Sequence, residues 1–185
     1  MYSQRSLSEL YRRLYRETDY GEKDPRARYF VDLVRMYIQK GSRILDVGCG
    51  RGILMRELLK EGYQVEGVEI TGPLPEHENL VVHYLPVQSL NGLEPYDAVI
   101  ASDTLEHIPP KELIPAIEKI VQLSGNYIFV SVPDKAAHNP LLDHPIRNIH
   151  LIVKKLDWWL DLFSGKVKIL RTFRAARSNF IVGQK

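Results

Sequence analysis

An α/β fold with a doubly wound, mostly parallel seven-stranded sheet, helices on both faces and an antiparallel C-terminal hairpin is predicted from three observations. Short apolar runs alternate with stretches of helical periodicity, as the strands and crossover helices of a parallel sheet do. One of these runs, Ile44-Leu45-Asp46-Val47, empties into Gly48-Cys49-Gly50-Arg51-Gly52, where glycines let the backbone turn sharply and a ligand lie against the main chain. The last two runs are separated by too few residues for a crossover, so they must pair as a hairpin.

Taken in order, Leu7, Leu10, Tyr11, Leu14 and Tyr15 recur at helical spacing and predict an amphipathic helix over 7–18, with Ser6 or Ser8 as a cap. Asp24-Pro25 supplies an N-cap and an N1 proline for a second helix, whose apolar face runs from Phe30 to Ile38 and stops at Gly41. The first strand follows, then the glycine turn and a helix through Ile53, Leu54, Leu58 and Leu59. Residues 63–70 alternate apolar and polar and end on Glu69-Ile70, the second strand. Thr71-Gly72-Pro73-Leu74-Pro75 cannot sustain a helix, so a loop is expected. Residues 80–85, 96–101 and 126–132 read as strands, with a helix through Leu113, Ile117 and Ile120 before the last of them. A helix over 149–163 and strands over 166–172 and 178–182 complete the chain.

Composition bounds the class. The 185 residues are 44% hydrophobic and 26% charged, ordinary for one globular domain with a real core. Residues 1–41 read as an N-terminal helical lid and 42–185 as the core. No apolar stretch approaches the roughly 20 residues that span a membrane, and the start lacks an apolar signal core, so a cytoplasmic location is expected. A single cysteine excludes internal disulfides and multi-cysteine zinc sites; Cys49, inside the glycine turn, reads as a small filler. The net charge of +2 implies no nucleic-acid partner by itself. Basic residues crowd both ends, Arg5 to Arg28 and Lys166 to Arg177, and read first as solvated faces; brought together they would suit an anionic acceptor or RNA.

The glycine spacing separates cofactor classes. A dinucleotide fingerprint needs its third glycine at position 53, which is Ile53. An acid two residues before the first glycine, and another at the tip of the second strand about twenty residues on, instead suit a nucleoside whose ribose hydroxyls bond a carboxylate. With Tyr96-Asp97-Ala98-Val99-Ile100-Ala101-Ser102-Asp103-Thr104-Leu105-Glu106-His107-Ile108, these motifs in this order and spacing resemble the class I S-adenosylmethionine-dependent methyltransferases. The resemblance is closest to small bacterial and archaeal enzymes with a D-x-L-E-H run after the fourth strand, and it covers residues 40–135 well.

That resemblance implies a Rossmann-like fold in which the final strand inserts between its two predecessors. It implies S-adenosylmethionine as cofactor, S-adenosylhomocysteine as product, and transfer of the methyl group to an O, N or C nucleophile of a small-molecule acceptor. Cofactor contacts fall on Asp46, Gly48, Cys49, Gly50, Gly52, Glu69, Ile70, Val87, Gln88 and Ser102. Where the family places an aspartate against the adenine amine, this chain has Leu85-Pro86-Val87-Gln88, so that contact falls to Gln88 or to backbone groups. The Asn/Asp-Pro-Pro-Tyr run of enzymes that methylate bases or glutamine is absent after the fourth strand. His107 and His150 are the catalytic candidates. For His107 three readings stand: a general base, with an ordinary pKa of about 6.5; a metal ligand, since Asp103-x-x-Glu106-His107 resembles the metal-binding run of some quinone-pathway and small-RNA ribose methyltransferases; or a scaffold that holds the loop. No metal is assigned. A methyltransferase acting on RNA or protein, and a regulatory module that binds the cofactor without turnover, are the alternative functions; the oligomeric state is not legible.

Overall fold

The computed structural model describes residues 4–141 and 143–185. Seven strands form one sheet: β1 (Arg43–Val47), β2 (Gln64–Val68), β3 (Val81–His83), β4 (Tyr96–Ser102), β5 (Ser124–Pro133), β6 (Lys168–Ala175) and β7 (Ser178–Gln184). Their order is β3-β2-β1-β4-β5-β7-β6, with β1 to β5 parallel and β7 antiparallel between β5 and β6. The doubly wound sheet and the inserted last strand are as expected.

Alternation along each strand sorts the core onto two faces. Leu45, Val99, Ala101, Ile128 and Ile181 face one side, where α4 (Pro110–Leu123) and α5 (Leu156–Phe163) cover them with Ile117, Ile120 and Trp159. Ile44, Ala98, Ile100, Phe129 and Phe180 face the other, under α2 (Ala27–Tyr37) and α3 (Ile53–Lys60). A third apolar cluster joins α1 (Gln4–Glu17), through Leu7, Leu10, Tyr11 and Leu14, to Leu141, Ile146 and Ile149 after β5. Of the paired tryptophans, Trp159 is fully buried and Trp158 partly so, their rings edge to face at 5.1 Å.

Three boundaries differ from expectation, each for a local reason. The α2 helix begins at Ala27 because the Asp24 carboxylate accepts from the Arg26 amide in a turn of its own, 2.9 Å. The helix expected over 149–163 is confined to α5, since the amides of Ile149 and Ile152 already donate to the carbonyls of Ala137 and Glu106. The closing strands extend to Ala175 and resume at Ser178, joined by Ala176 and Arg177 with φ of 46° and 66°. Such a two-residue turn usually carries glycine or asparagine, which is why the sequence places the break less tightly. The loop expected after Glu69 is present, with a single 3-10 turn at Pro75–His77. No helix among the described residues is long and apolar enough to cross a membrane.

Candidate active site

The carboxyl ends of β1, β2 and β4 open beneath α1, where open α/β sheets bind ligands. A cavity of about 120 Å³ lies there. Gly48, with φ of 72°, starts the turn out of β1, and a side chain at this position would collide with Thr104 Oγ1. Glycine therefore meets two demands at once, a left-handed backbone and close approach to the β4 exit.

Glu69, 5% exposed, fixes the turn from the tip of β2. Its Oε2 accepts from the Gly50 amide at 2.9 Å, and its Oε1 from the amides of Ile70 and Thr71 at 2.8 and 3.2 Å. Burial pushes this carboxyl up from its ordinary pKa, and the three amides pull it back. The other side of the Gly50 peptide is held by His77, whose Nε2 donates to the Gly50 carbonyl at 2.6 Å while its Nδ1 accepts from the Tyr84 hydroxyl at 3.0 Å. Sequence reading missed His77, because its strand-end loop carries no motif.

The proposed cofactor residues divide by position. Gly48, Glu69, Ile70, Val87 and Gln88 are on the cavity wall; Asp46, Cys49, Gly50, Gly52 and Ser102 are not. Asp46 lies behind the turn, 2% exposed, its pKa raised to about 8 chiefly by burial, with the Asp24 and Glu69 charges adding. Cys49 fills space under β2, where a side chain at Gly67 would meet its sulfur at 2.7 Å. Burial pushes its thiol up, away from nucleophile character.

At the β4 exit Asp103 adopts φ of 44° and turns away from the residues that follow it. Its carboxylate accepts from Ser131 Oγ at 2.5 Å and Ser178 Oγ at 2.9 Å and pairs with Arg26 Nε at 3.1 Å. The set Asp103, Glu106 and His107 is therefore not the cluster that forms. Glu106, His107 and His150 converge instead, with potential ligand atoms all within 4.8 Å of one another. The imidazole of His150 donates from Nδ1 to the Lys135 carbonyl at 2.6 Å, and that of His107 from Nδ1 to the Ile149 carbonyl at 2.8 Å. Both Nε2 lone pairs then face Glu106 Oε1, at 3.9 and 3.6 Å. Glu106 is fully buried and neither of its oxygens has a hydrogen-bond partner. Burial, then the Asp103 charge, pushes this carboxyl well above its ordinary range. Burial, then His150, lowers His107 to about 3. His150 is lowered in the same way by burial.

The α1 helix roofs the cavity. Leu7, Tyr11 and Tyr15 line it from this helix, and Tyr20 from the following turn. Ser8 Oγ donates to the Ile70 carbonyl at 2.7 Å, and Arg12 donates twice to the Thr71 carbonyl at 3.0 and 2.9 Å. The Tyr11 hydroxyl lies 2.5 Å from His107 Nδ1. From below, Arg51 donates to the carbonyls of Tyr15 and Tyr20 at 2.5 and 3.1 Å, while it also pairs with Glu76.

Several basic residues near the chain's ends pair with acids. Arg5 pairs with Glu9, Arg13 with Glu17 and Asp143, Arg26 with Asp103, and Arg174 with Asp134.

Known proteins share this architecture. The model of a methyltransferase domain family matches residues 16–175. Among curated relatives, the ubiquinone biosynthesis O-methyltransferase of Pectobacterium carotovorum is 32% identical over 106 residues, covering 50% of this chain and 44% of that protein. Its counterpart in Acinetobacter baylyi is 31% identical over 106 residues, with 50% and 44% covered. The match thus spans less than half the length of these relatives. Among solved structures, a Burkholderia thailandensis 1,6-didemethyltoxoflavin-N1-methyltransferase with bound 1,6-didemethyltoxoflavin and S-adenosylhomocysteine superposes with a TM-score of 0.77 at 18% identity, covering 100% of this chain and 91% of that one. A Synechocystis magnesium protoporphyrin IX methyltransferase with bound S-adenosylhomocysteine gives 0.68 at 20% identity, with 86% and 81% covered. On the family model's span, over a sheet whose inserted last strand and glycine turn are in place, the chain belongs to the methyltransferase domain family.

Proposed function

We propose that this chain transfers the methyl group of S-adenosylmethionine to an O, N or C nucleophile of a small-molecule acceptor. The observation that carries this is Glu69, a buried carboxylate at the tip of β2 on the wall of a roofed cavity, next to a glycine turn. Its Oε1 already accepts two amides and its Oε2 one, so a lone-pair site on Oε2 is left to accept from a ribose hydroxyl, and the amino-acid arm then runs toward Gly48. Asp46, Cys49, Gly50, Gly52 and Ser102 act from behind the wall, by shaping the turn and its field. Methyl transfer is an in-line displacement in which the acceptor's lone pair forms the new bond to carbon while the thioether departs with the sulfonium's electron pair. Such a reaction needs alignment and exclusion of water more than a covalent nucleophile. Tyr11, Tyr15 and Tyr20, from the 1–41 segment, supply the exclusion as a lid. Pairing with acids removes Arg5, Arg13, Arg26 and Arg174 from any basic rim that an anionic acceptor or an RNA would use.

The test is calorimetry with S-adenosylhomocysteine on the wild type and on Glu69→Ala, beside a metabolite-extract screen with labelled methyl donor. The wild type is expected to bind and the variant to lose roughly tenfold or more, as when a charged hydrogen-bond acceptor is removed. Stabilisation by NAD with none from S-adenosylhomocysteine would reverse the choice of cofactor; binding without transfer to any acceptor favours the regulatory module.

A second reading concerns the role of His107 and His150. With burial lowering its pKa, Nδ1 donating to the Ile149 carbonyl and Nε2 turned toward the buried Glu106, His107 is poorly placed to take a substrate proton. The unpartnered Glu106 carboxyl between two imidazole lone pairs favours the holding of one cation, a proton or a divalent metal. A metal there would supply a Lewis acid toward the acceptor. Thermal-shift titration with Mg²⁺, Mn²⁺ and Zn²⁺ separates these: stabilisation that His150→Ala abolishes supports a metal, and none at millimolar ion leaves a shared proton and a scaffold.

A further inference from the structure

The cavity wall includes two further polar side chains, Gln88 and Glu112. The α4 helix packs against the 3-10 turn Val87–Ser89, and this contact brings two cavity-lining side chains together: Gln88 Nε2 donates to Glu112 Oε2 at 3.1 Å. The neighbouring wall is apolar, made of Ile70, Pro86, Val87, Ile108 and Pro109. A nucleoside held by its ribose at Glu69, with its amino-acid arm toward Gly48, must direct its base into this part of the cavity. A flat heterocycle fits apolar walls of that kind, and the acceptor edge selects one that carries an exocyclic amine.

We propose that Glu112 accepts a hydrogen bond from the exocyclic amine of adenine and so determines base specificity, with Gln88 holding its carboxylate in register. The assignment rests on the S-adenosylmethionine reading of the cavity and moves the recognising acid from the end of β3 to the first turn of α4. Lys111 Nζ, 3.9 Å from Oε1, is an exposed neighbour of the same carboxylate; a carboxylate has about four lone-pair sites, so an amine can join partners already at this group. A 6-oxo purine offers an oxygen lone pair where adenine offers N–H, and a carboxylate repels it.

The test compares S-adenosylhomocysteine with S-inosylhomocysteine, by calorimetry on the wild type, Glu112→Ala and Glu112→Gln. The wild type is expected to prefer the adenine form by roughly 10- to 100-fold, the range for one hydrogen bond to a charged group. Glu112→Ala should bring the ratio toward unity by weakening the adenine form, and Glu112→Gln, which adds a donor, should also improve the 6-oxo form. An unchanged ratio in both variants, or no preference in the wild type, overturns the role of Glu112. Failure of the wild type to bind S-adenosylhomocysteine at all is a different result, and it overturns the cofactor reading instead.

Discussion

Two acids of the site, Asp46 and Glu69, show how the same functional group is set by its surroundings. Glu69 receives three backbone N–H groups, which offset part of the cost of taking a charge out of water. Asp46 lies deeper, and its pKa is raised to about 8. Between its unfolded pKa of about 4 and about 8, the folded protein keeps a proton that the unfolded chain has lost. Stability contributed by that proton is full below the unfolded pKa and is lost as pH rises through the folded one. Unperturbed histidines of the unfolded chain are still losing protons near pH of about 6.5, so the acid's contribution is read as the difference between the wild type and Asp46→Asn, in which the other groups are retained. Urea unfolding is therefore expected to show the ligand-free protein losing stability from pH 6.5 to 8.5, with the slope reduced in Asp46→Asn. Equal slopes in the two proteins would remove Asp46 as the cause.

At the scale of elements, α1 is joined to the rest of the site by a few polar contacts and one small apolar cluster. Tyr11 links three segments, since its hydroxyl reaches His107 and the Ile149 carbonyl while its ring packs among Leu7, Leu10 and Ile146. Tyr11→Phe keeps the ring and deletes the tether, at a cost of about 1 kcal/mol. Amide hydrogen exchange should then quicken in α1 and in residues 137–149 while β1, β4 and β5 keep their protection. Uniform change across the sheet would mean that Tyr11 supports the whole fold rather than the roof. Much of this level was legible: the helical spacing of α1, the strand and glycine turn, and the carboxylate ending β2 are local patterns. The Glu106, His107 and His150 cluster was half legible. The histidines stood out as residue types, but their convergence depends on the irregular path of 134–155, where amides bond at long range to Glu106 and Ala137. His77 and Glu112 gave no signal, because their partners, Gly50 and Gln88, come from other segments.

Across the whole molecule, the two-faced sheet followed from alternation alone, since β4 and β5 send successive apolar residues to opposite layers. The position of β7 did not. A short link proves a hairpin, and a hairpin could equally have lain outside β5 with its strands in chain order. What favours insertion is burial: β6 is half exposed along its length, whereas β7 is buried from Ser178 to Gly183. Phe180 meets Phe30 and Phe173 in ring contacts at 5.2 and 4.8 Å. The strand that carries Lys168, Arg171 and Arg174 takes the edge, where charge discourages pairing with another chain.

That insertion also orders the events of biosynthesis. Until residues 178–184 leave the ribosome, β5 has an open edge along which Tyr127 to Pro133 lack the neighbour that they pair with in the finished sheet. Because β7 pairs with β5 across some fifty residues and also supplies Ser178 to the Asp103 carboxylate, the β4 exit gains its last hydrogen bond only when translation has passed this strand. A nascent chain can thus collapse around β1 to β4 early, in the N-terminal-first manner of growing polypeptides, yet it acquires a finished pocket late. The interval between the two is when an unpaired, apolar edge is exposed to chaperones or to its neighbours on the polysome.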